Sequence, residues 1–235
     1  MPILALIGSG EFTPALEPVD KFLLAHTPNP KVAILPTAAG LEPDYQKWIS
    51  DGIKHFKKLG INATGIHLLN RTHANNHELT NQLTKYNFVY FSGGDPGHLL
   101  DTLKGSLAWQ IILNQYKKGA TLAGSSAGAM VLGKMVWARV YDFINSGKIP
   151  PWEPGLNLVP FGVIPHYDAI SKDFSPQQIS QIKSSYPPKL KIIGIDENTA
   201  YIKISNTWKT LGEGTTHQNH SLLYKRQPKQ VVYSH

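Results

Sequence analysis

The sequence predicts an α/β fold: a mostly parallel sheet with helices on both faces, followed by a strand-rich C-terminal part. Three observations carry that expectation. Short apolar runs alternate with helically spaced segments through the first half of the chain, the pattern of β-α-β units. The runs are near-continuous in apolar residues, as strands covered on both faces must be. They also end in glycine and small residues, at 8–10, 37–40, 92–94 and 124–128. Strands of an open parallel sheet present such carboxyl ends along one edge, where ligands bind.

Taken in order, residues 3–8 (ILALIG) form the first strand and end in Gly-Ser-Gly. Residues 15–26 fit a short helix, and 31–39 (KVAILPTAA) a second strand. Residues 44–60 carry Tyr45, Trp48, Ile49, Ile53, Phe56 and Leu59 on one helical face. Gly60 is placed to stop that helix. Residues 61–69 read as a third strand, 76–86 as a helix, 87–94 (NFVYFSGG) as a fourth strand and 107–119 as another helix. Residues 120–124 (ATLAG) form a fifth strand that feeds a helix beginning near Ser126.

The pattern then changes. A proline- and glycine-rich connection leads to a strand ending at His166. Ser175 and Pro176 are suited to the N-cap and first position of a helix over 174–186. From residue 190 onward the chain is strand-rich, with turns at 196–198, 205–206 and 212–214 and hairpins expected to complete the far side of the sheet. No repeat or long linker divides the chain, so residues 1–235 are expected to form one domain.

Composition removes several classes of function. The 235 residues include no cysteine, which excludes disulfides, thiolate metal sites and a cysteine nucleophile. Covalent chemistry would have to use serine, threonine, lysine or a carboxylate. The N-terminal apolar stretch is short for a secretory signal and no basic residue precedes it. No run reaches membrane-spanning length, so a cytoplasmic location is the default expectation. The formal charge is +7, but the cations are scattered: Lys54, Lys57 and Lys58 on one helix, Lys189 and Lys191 beside a strand, Lys225, Arg226 and Lys229 near the C-terminus. Without a nucleic-acid motif, that charge does not point to nucleic acid.

The most informative stretch is Gly124-Ser125-Ser126-Ala127-Gly128, between an apolar strand and an amphipathic helix. It fits G-x-S-x-G, in which a tight strand-to-helix turn lifts a serine hydroxyl off the sheet edge. Ser126 is central and is the expected nucleophile, while Ser125 should point elsewhere. A serine needs a base to take its proton and backbone donors for the developing oxyanion. The Ala127 N–H at the start of the helix suits the second task. Gly93-Gly94, at the end of the fourth strand, offers a further amide. His166 lies at the end of an apolar stretch on the same edge, forty residues after Ser126, though it is one of ten histidines and spacing alone does not select it. Asp196 and Glu197 lie in a turn farther on. A glycine-rich turn with no chemistry would share the pentapeptide, so the reading rests on the whole ordered set.

Those segments, GSSAGAM, YFSGGDPGHLLDTL, LNLVPFGVIPHYD and GIDENTA, resemble the peptidase E and cyanophycinase family of serine peptidases, from the N-terminal strand to at least residue 204. The resemblance implies the flavodoxin-like fold of class I glutamine amidotransferases, with no metal or organic cofactor. It implies Ser126 as nucleophile, His166 as base, and Gly94 and Ala127 as oxyanion amides. For the third, orienting acid it ranks Asp142 first, sixteen residues after the serine, with Glu197 and Asp168 as alternatives. Gly93, Asp95 and Lys172 are the substrate-binding candidates. The expected activity is hydrolysis of short peptides or isopeptides, beside an aspartyl residue in the family. A small peptide is the expected partner, with no nucleic acid or membrane, and the chain is expected as a monomer or homodimer.

The sequence also departs from that family. Cyanophycinases carry Asp-Gln before the histidine; here Ile164 and Pro165 stand there. The arginines that follow the histidine in both branches are missing, and only Lys172 occurs in YDAISKDFSPQQ. Lys172 or Arg139 could supply a point charge, but neither guarantees bidentate recognition of a carboxylate. The resemblance therefore does not carry aspartyl specificity over to this sequence. An esterase-like serine hydrolase and a catalytically silent ligand-binding homologue remain alternatives.

Overall fold

Four of the apolar runs become neighbouring parallel strands, and their order gathers the glycine-rich ends at one place. A computed structural model describes residues 1–218. The strands, in chain order, are β1 (Ile3–Ile7), β2 (Val32–Leu35), β3 (Ala63–Gly65), β4 (Phe88–Phe91), β5 (Thr121–Ser125), β6 (Met135–Val136), β7 (Glu153–Pro154), β8 (Gly162–Ile164), β9 (Ile192–Ile195), β10 (Thr199–Ile204), β11 (Thr207–Gly212) and β12 (Thr216–Gln218). The main sheet has the order β11-β10-β1-β5-β4-β2-β3. Its five strands from β1 to β3 in that order pair in parallel, and β10 and β11 add an antiparallel edge. This is the α/β, flavodoxin-like arrangement that the sequence predicts.

Every residue of β1, β2, β4 and β5 is buried. Successive strand residues face opposite sides, so one strand feeds two cores. Ile3, Ala5 and Ile7 of β1 join Val32, Ile34, Phe88 and Tyr90 against Leu16, Val19, Leu23 and Phe56 from the helices of one face. Leu4 and Leu6 join Ala33, Leu35, Val89, Phe91 and Leu122 against Leu99, Leu103 and Ile112 on the other. Burial of this kind on both faces is why the strands read as continuous apolar runs rather than alternating ones.

The local signals behave as the chemistry requires. The helix Gln46–Lys58 ends at Gly60 with φ 82°, and its N–H bonds the Lys57 carbonyl. Ser175 caps the helix Pro176–Ser184 in a capping box with Gln178. β10 and β11 form the expected hairpin, turning at Ser205, whose φ is 55°. One expectation needs correcting. Of the strand-rich stretch expected to complete the far side of the sheet, only β10 and β11 join it: β9 pairs with β12, and in parallel with β8, the strand before His166, in a separate three-stranded sheet. The part of the expected strand-rich stretch beyond Gln218, and the cations Lys225, Arg226 and Lys229, lie outside the described residues. No helix among the described residues is long and apolar enough to cross a membrane.

Candidate active site

The site forms where β1, β4 and β5 end side by side. Ile7 lies opposite Ser125 in the β1–β5 register, and Phe91 opposite Gly124 in the β4–β5 register. Ser126 follows directly, its N–H bonded to the Ile7 carbonyl at 2.9 Å, and the helix Ala127–Val131 begins after it. Ser126 has φ 48° and ψ −110°, a conformation that L residues rarely adopt. The turn is so tight that a Cβ on Gly124 would lie 2.5 Å from the Gly128 carbonyl oxygen. Small residues are what let the chain reverse here and hold the serine in its strained, outward position.

Ser126 Oγ lies 2.9 Å from His166 Nε2. His166 Nδ1 lies 2.8 Å from Glu197 Oε1. Both ring nitrogens are therefore engaged, one by the hydroxyl and one by a carboxylate. That leaves no ring position for Asp142, the first-ranked acid. Asp142 sits exposed on the helix Val140–Ser146, and the ranking that the resemblance implied is corrected: the carboxylate on His166 is that of Glu197. Glu197 reaches the histidine because the turn after β9 projects beside the carboxyl end of β1. Its backbone N–H donates to Asp168 Oδ1 at 2.8 Å, and Ser9 Oγ donates to its side chain at 3.3 Å. Asp168 thus acts on the glutamate's loop, not on His166. The neighbouring Asp196 turns the other way and bonds His217 Nε2 at 2.7 Å.

The oxyanion candidates flank the same hydroxyl. Ala127 opens its helix, so its N–H has no intrahelical acceptor. Of the glycine pair, Gly93 donates its N–H to Glu11 Oε1 at 2.7 Å, which leaves Gly94 as the amide available to a ligand. Gly94 has φ 136°, and a Cβ there would lie 2.5 Å from the Ala38 carbonyl carbon, so only glycine fits.

Glu11 was not among the sequence candidates. It is buried, and its second oxygen accepts from Ser125 Oγ at 2.5 Å while the first holds Gly93. One carboxylate thereby ties the β1 end to both the elbow and the glycine pair, and gives Ser125 the partner its inward direction requires. The signal was an acid directly after Gly8-Ser9-Gly10, a run that otherwise reads as a plain turn. Glu11→Ala strands two buried donors, each worth about 1–3 kcal/mol, and urea unfolding should show a loss of that order. Glu11→Gln keeps an acceptor for Gly93 and should recover most of it.

The remaining substrate-binding candidates are placed elsewhere. Asp95 caps the helix Pro96–Leu103, accepting from the Gly97 and His98 N–H groups at 2.7 and 3.0 Å. Lys172 is exposed on the short helix Ile170–Asp173 and lines neither cavity at the serine. Arg139 is held by Asp101 through both terminal nitrogens, at 3.0 and 2.9 Å, and by Glu153 at 3.2 Å. Hydrogen bonding to Asp101 raises its already high pKa.

Two cavities meet at Ser126, His166, Gly94 and Tyr141. The first, about 630 Å³, has a polar wall that includes Glu11, His55 and Lys54, together with Lys47 and Lys58. Lys47 is paired with Asp51, and Lys58 with Glu17. Behind it His55 Nε2 and Asp20 Oδ2 meet at 2.8 Å, and burial pushes the Asp20 carboxyl up despite that bond. The second cavity is apolar. No group of three or more His, Asp or Glu suited to a metal occurs among the described residues.

Residues 4–211 match the model of peptidase family S51. The chain belongs to peptidase family S51. Among S51 relatives, an uncharacterized peptidase of Pasteurella multocida is 28% identical over 184 residues, covering 78% of this chain and 85% of that one. A peptidase E of Nostoc is 27% identical over 214 residues, covering 87% and 80%. A cyanophycinase of Synechococcus elongatus is 28% identical over 208 residues, but the match spans only 62% of its length. The crystal structure of a peptidase from an acI-B1 Actinobacterium superposes with a TM-score of 0.80 at 33% identity, covering 93% of this chain and 90% of that one.

Proposed function

We propose that this S51 chain is a serine peptidase that cleaves short peptides through an acyl-enzyme. The observation that carries the reading is the unbroken chain from Ser126 to His166 to Glu197, at 2.9 and 2.8 Å, beside a positive-φ elbow. A hydroxyl, an imidazole and a carboxylate in that order form the arrangement that makes serine a nucleophile.

In this reading Ser126 Oγ attacks the scissile carbonyl carbon while His166 Nε2 takes its proton. The carbonyl oxygen becomes the oxyanion, held by the Gly94 and Ala127 N–H groups. Glu197 accepts from Nδ1–H, fixes the tautomer that leaves Nε2 free, and stabilises the imidazolium. Collapse of the intermediate breaks the C–N bond, and His166 returns the proton to the leaving amine. Water then attacks the acyl-enzyme as His166 takes its proton, and the carboxylic acid product departs as Ser126 regains its hydrogen. Protein groups and water account for every step.

Hydrolysis of a mixed short-peptide library, followed by mass spectrometry beside simple ester substrates, tests this. New peptide termini that depend on Ser126 are expected. Ester cleavage without peptide cleavage would favour an esterase-like hydrolase, and no turnover of either would favour a silent ligand-binding protein.

A further inference from the structure

The second cavity says what the serine would receive. It has a volume of about 390 Å³, is lined by Met130, Trp137, Val140, Ile144, Ile164 and Phe174, and opens on Ser126 and His166. Both expected oxyanion amides, Gly94 and Ala127, are on its wall, whereas Ala127 does not line the first cavity. A carbonyl held by those two amides therefore sits at this cavity's mouth, where the cavity is within reach of the substituent on its α-carbon.

The chemistry of the wall selects that substituent. Among the described residues, lysine and arginine are absent from the lining, and Asp173 is an acid. A carboxylate entering here would lose water without gaining a cation and would face a like charge. Arg139, the nearest arginine in sequence, already has its charge neutralised by Asp101 and Glu153. The outer wall also shows apolar surface to solvent: Tyr141 is 44% and Ile144 is 53% exposed, both on the helix Val140–Ser146. Apolar contact with a ligand would cover it.

We propose that this cavity is the subsite for an aliphatic or aromatic side chain on the residue that supplies the scissile carbonyl. The chain would then cleave after apolar residues rather than beside aspartyl ones. This inference rests on the serine peptidase reading above.

The test uses the full chain and aminoalkyl diphenylphosphonates carrying a benzyl, isobutyl or carboxymethyl side chain. The rate of Ser126 modification is followed by intact mass. Benzyl and isobutyl probes are expected to react at least about tenfold faster than the carboxymethyl probe, the discrimination a well-formed apolar pocket supplies. Ile144→Lys, which puts a cation at the mouth, should shrink that ratio, and Val140→Lys should do the same. The circular dichroism spectra and thermal unfolding of both variants should match those of the parent, showing that the fold is intact. Equal or faster reaction of the carboxymethyl probe, or a ratio indifferent to both variants, overturns the proposal.

Parallel hydrolysis of peptides with Phe, Leu or Asp at the same position separates the two readings. The expected phosphonate order without any peptide cleavage supports the subsite and defeats the peptidase reading. Cleavage with an aspartyl preference does the reverse. No labelling by any probe overturns both.

Discussion

Ser126→Ala is expected to lower peptide hydrolysis by on the order of 10⁶-fold while leaving the circular dichroism spectrum unchanged. The size follows from what the hydroxyl does. Without it there is no acyl-enzyme, and the remaining machinery can act only on water. The Gly94 and Ala127 amides stay in place, so a residue of roughly 10³–10⁴-fold over the uncatalysed reaction is expected to persist. The fold should tolerate the change because Ser126 makes its structural bonds through its backbone, to Ile7, Ala129 and Met130. Ser125→Ala is the control. Its hydroxyl is buried against Glu11 and cannot reach a substrate, so it should cost stability before it costs chemistry. Single-turnover kinetics on a cleaved peptide, with urea unfolding of both variants, reads out the contrast.

Glu197→Gln should have the second largest effect, a fall in kcat of between about 10³- and 10⁴-fold. A glutamine amide that donates to Nδ1 forces the proton onto Nε2, where it blocks acceptance from Ser126. The side chains of His166 and Glu197 are 41% and 42% exposed, so water can partly stabilise the imidazolium, which places the effect below that of the nucleophile. KM should move little, since neither group holds the ground-state substrate. Asp142→Ala, in the same assay, should stay within a few-fold of the parent. A large loss in the Asp142 variant with little loss in the Glu197 variant would reverse the assignment.

The contrast between those two acids shows where sequence reasoning reaches and where it stops. The elbow at Ser126 was legible because a local backbone shape defines it, and Gly124, Ala127 and Gly128 write that shape beside it. His166 needed the family resemblance, because a strand end carries no sign of what it faces. Glu197 was ambiguous because its position depends on β9, which the sequence placed in the main sheet's far side and which the fold puts in a separate sheet with β8. The β8–β9 pairing carries His166 to the 196–198 turn, and the pairing of β10 with β1, Ala200 opposite Ile7, sets that turn over the end of β1, contacts between distant segments that no local pattern encodes. The resemblance favoured Asp142, and that expectation failed because Asp142 lies on the helix Val140–Ser146 with its side chain in solvent.

Glu11 was illegible for a related reason. An acid in a glycine-rich turn reads as solvated until β1 and β4 are known to end together with β5 between them. The central strands were the easier part. Their burial on both faces forces a continuous apolar run, and such runs are visible whatever the order of the strands.

The central claim is that Ser126 is a nucleophile activated by His166. Site-mapped labelling with a fluorophosphonate tests it most directly. A single adduct on Ser126 is expected, absent in Ser126→Ala and strongly slowed in His166→Ala. An adduct on another residue, or labelling of Ser126 that ignores the loss of His166, would contradict it.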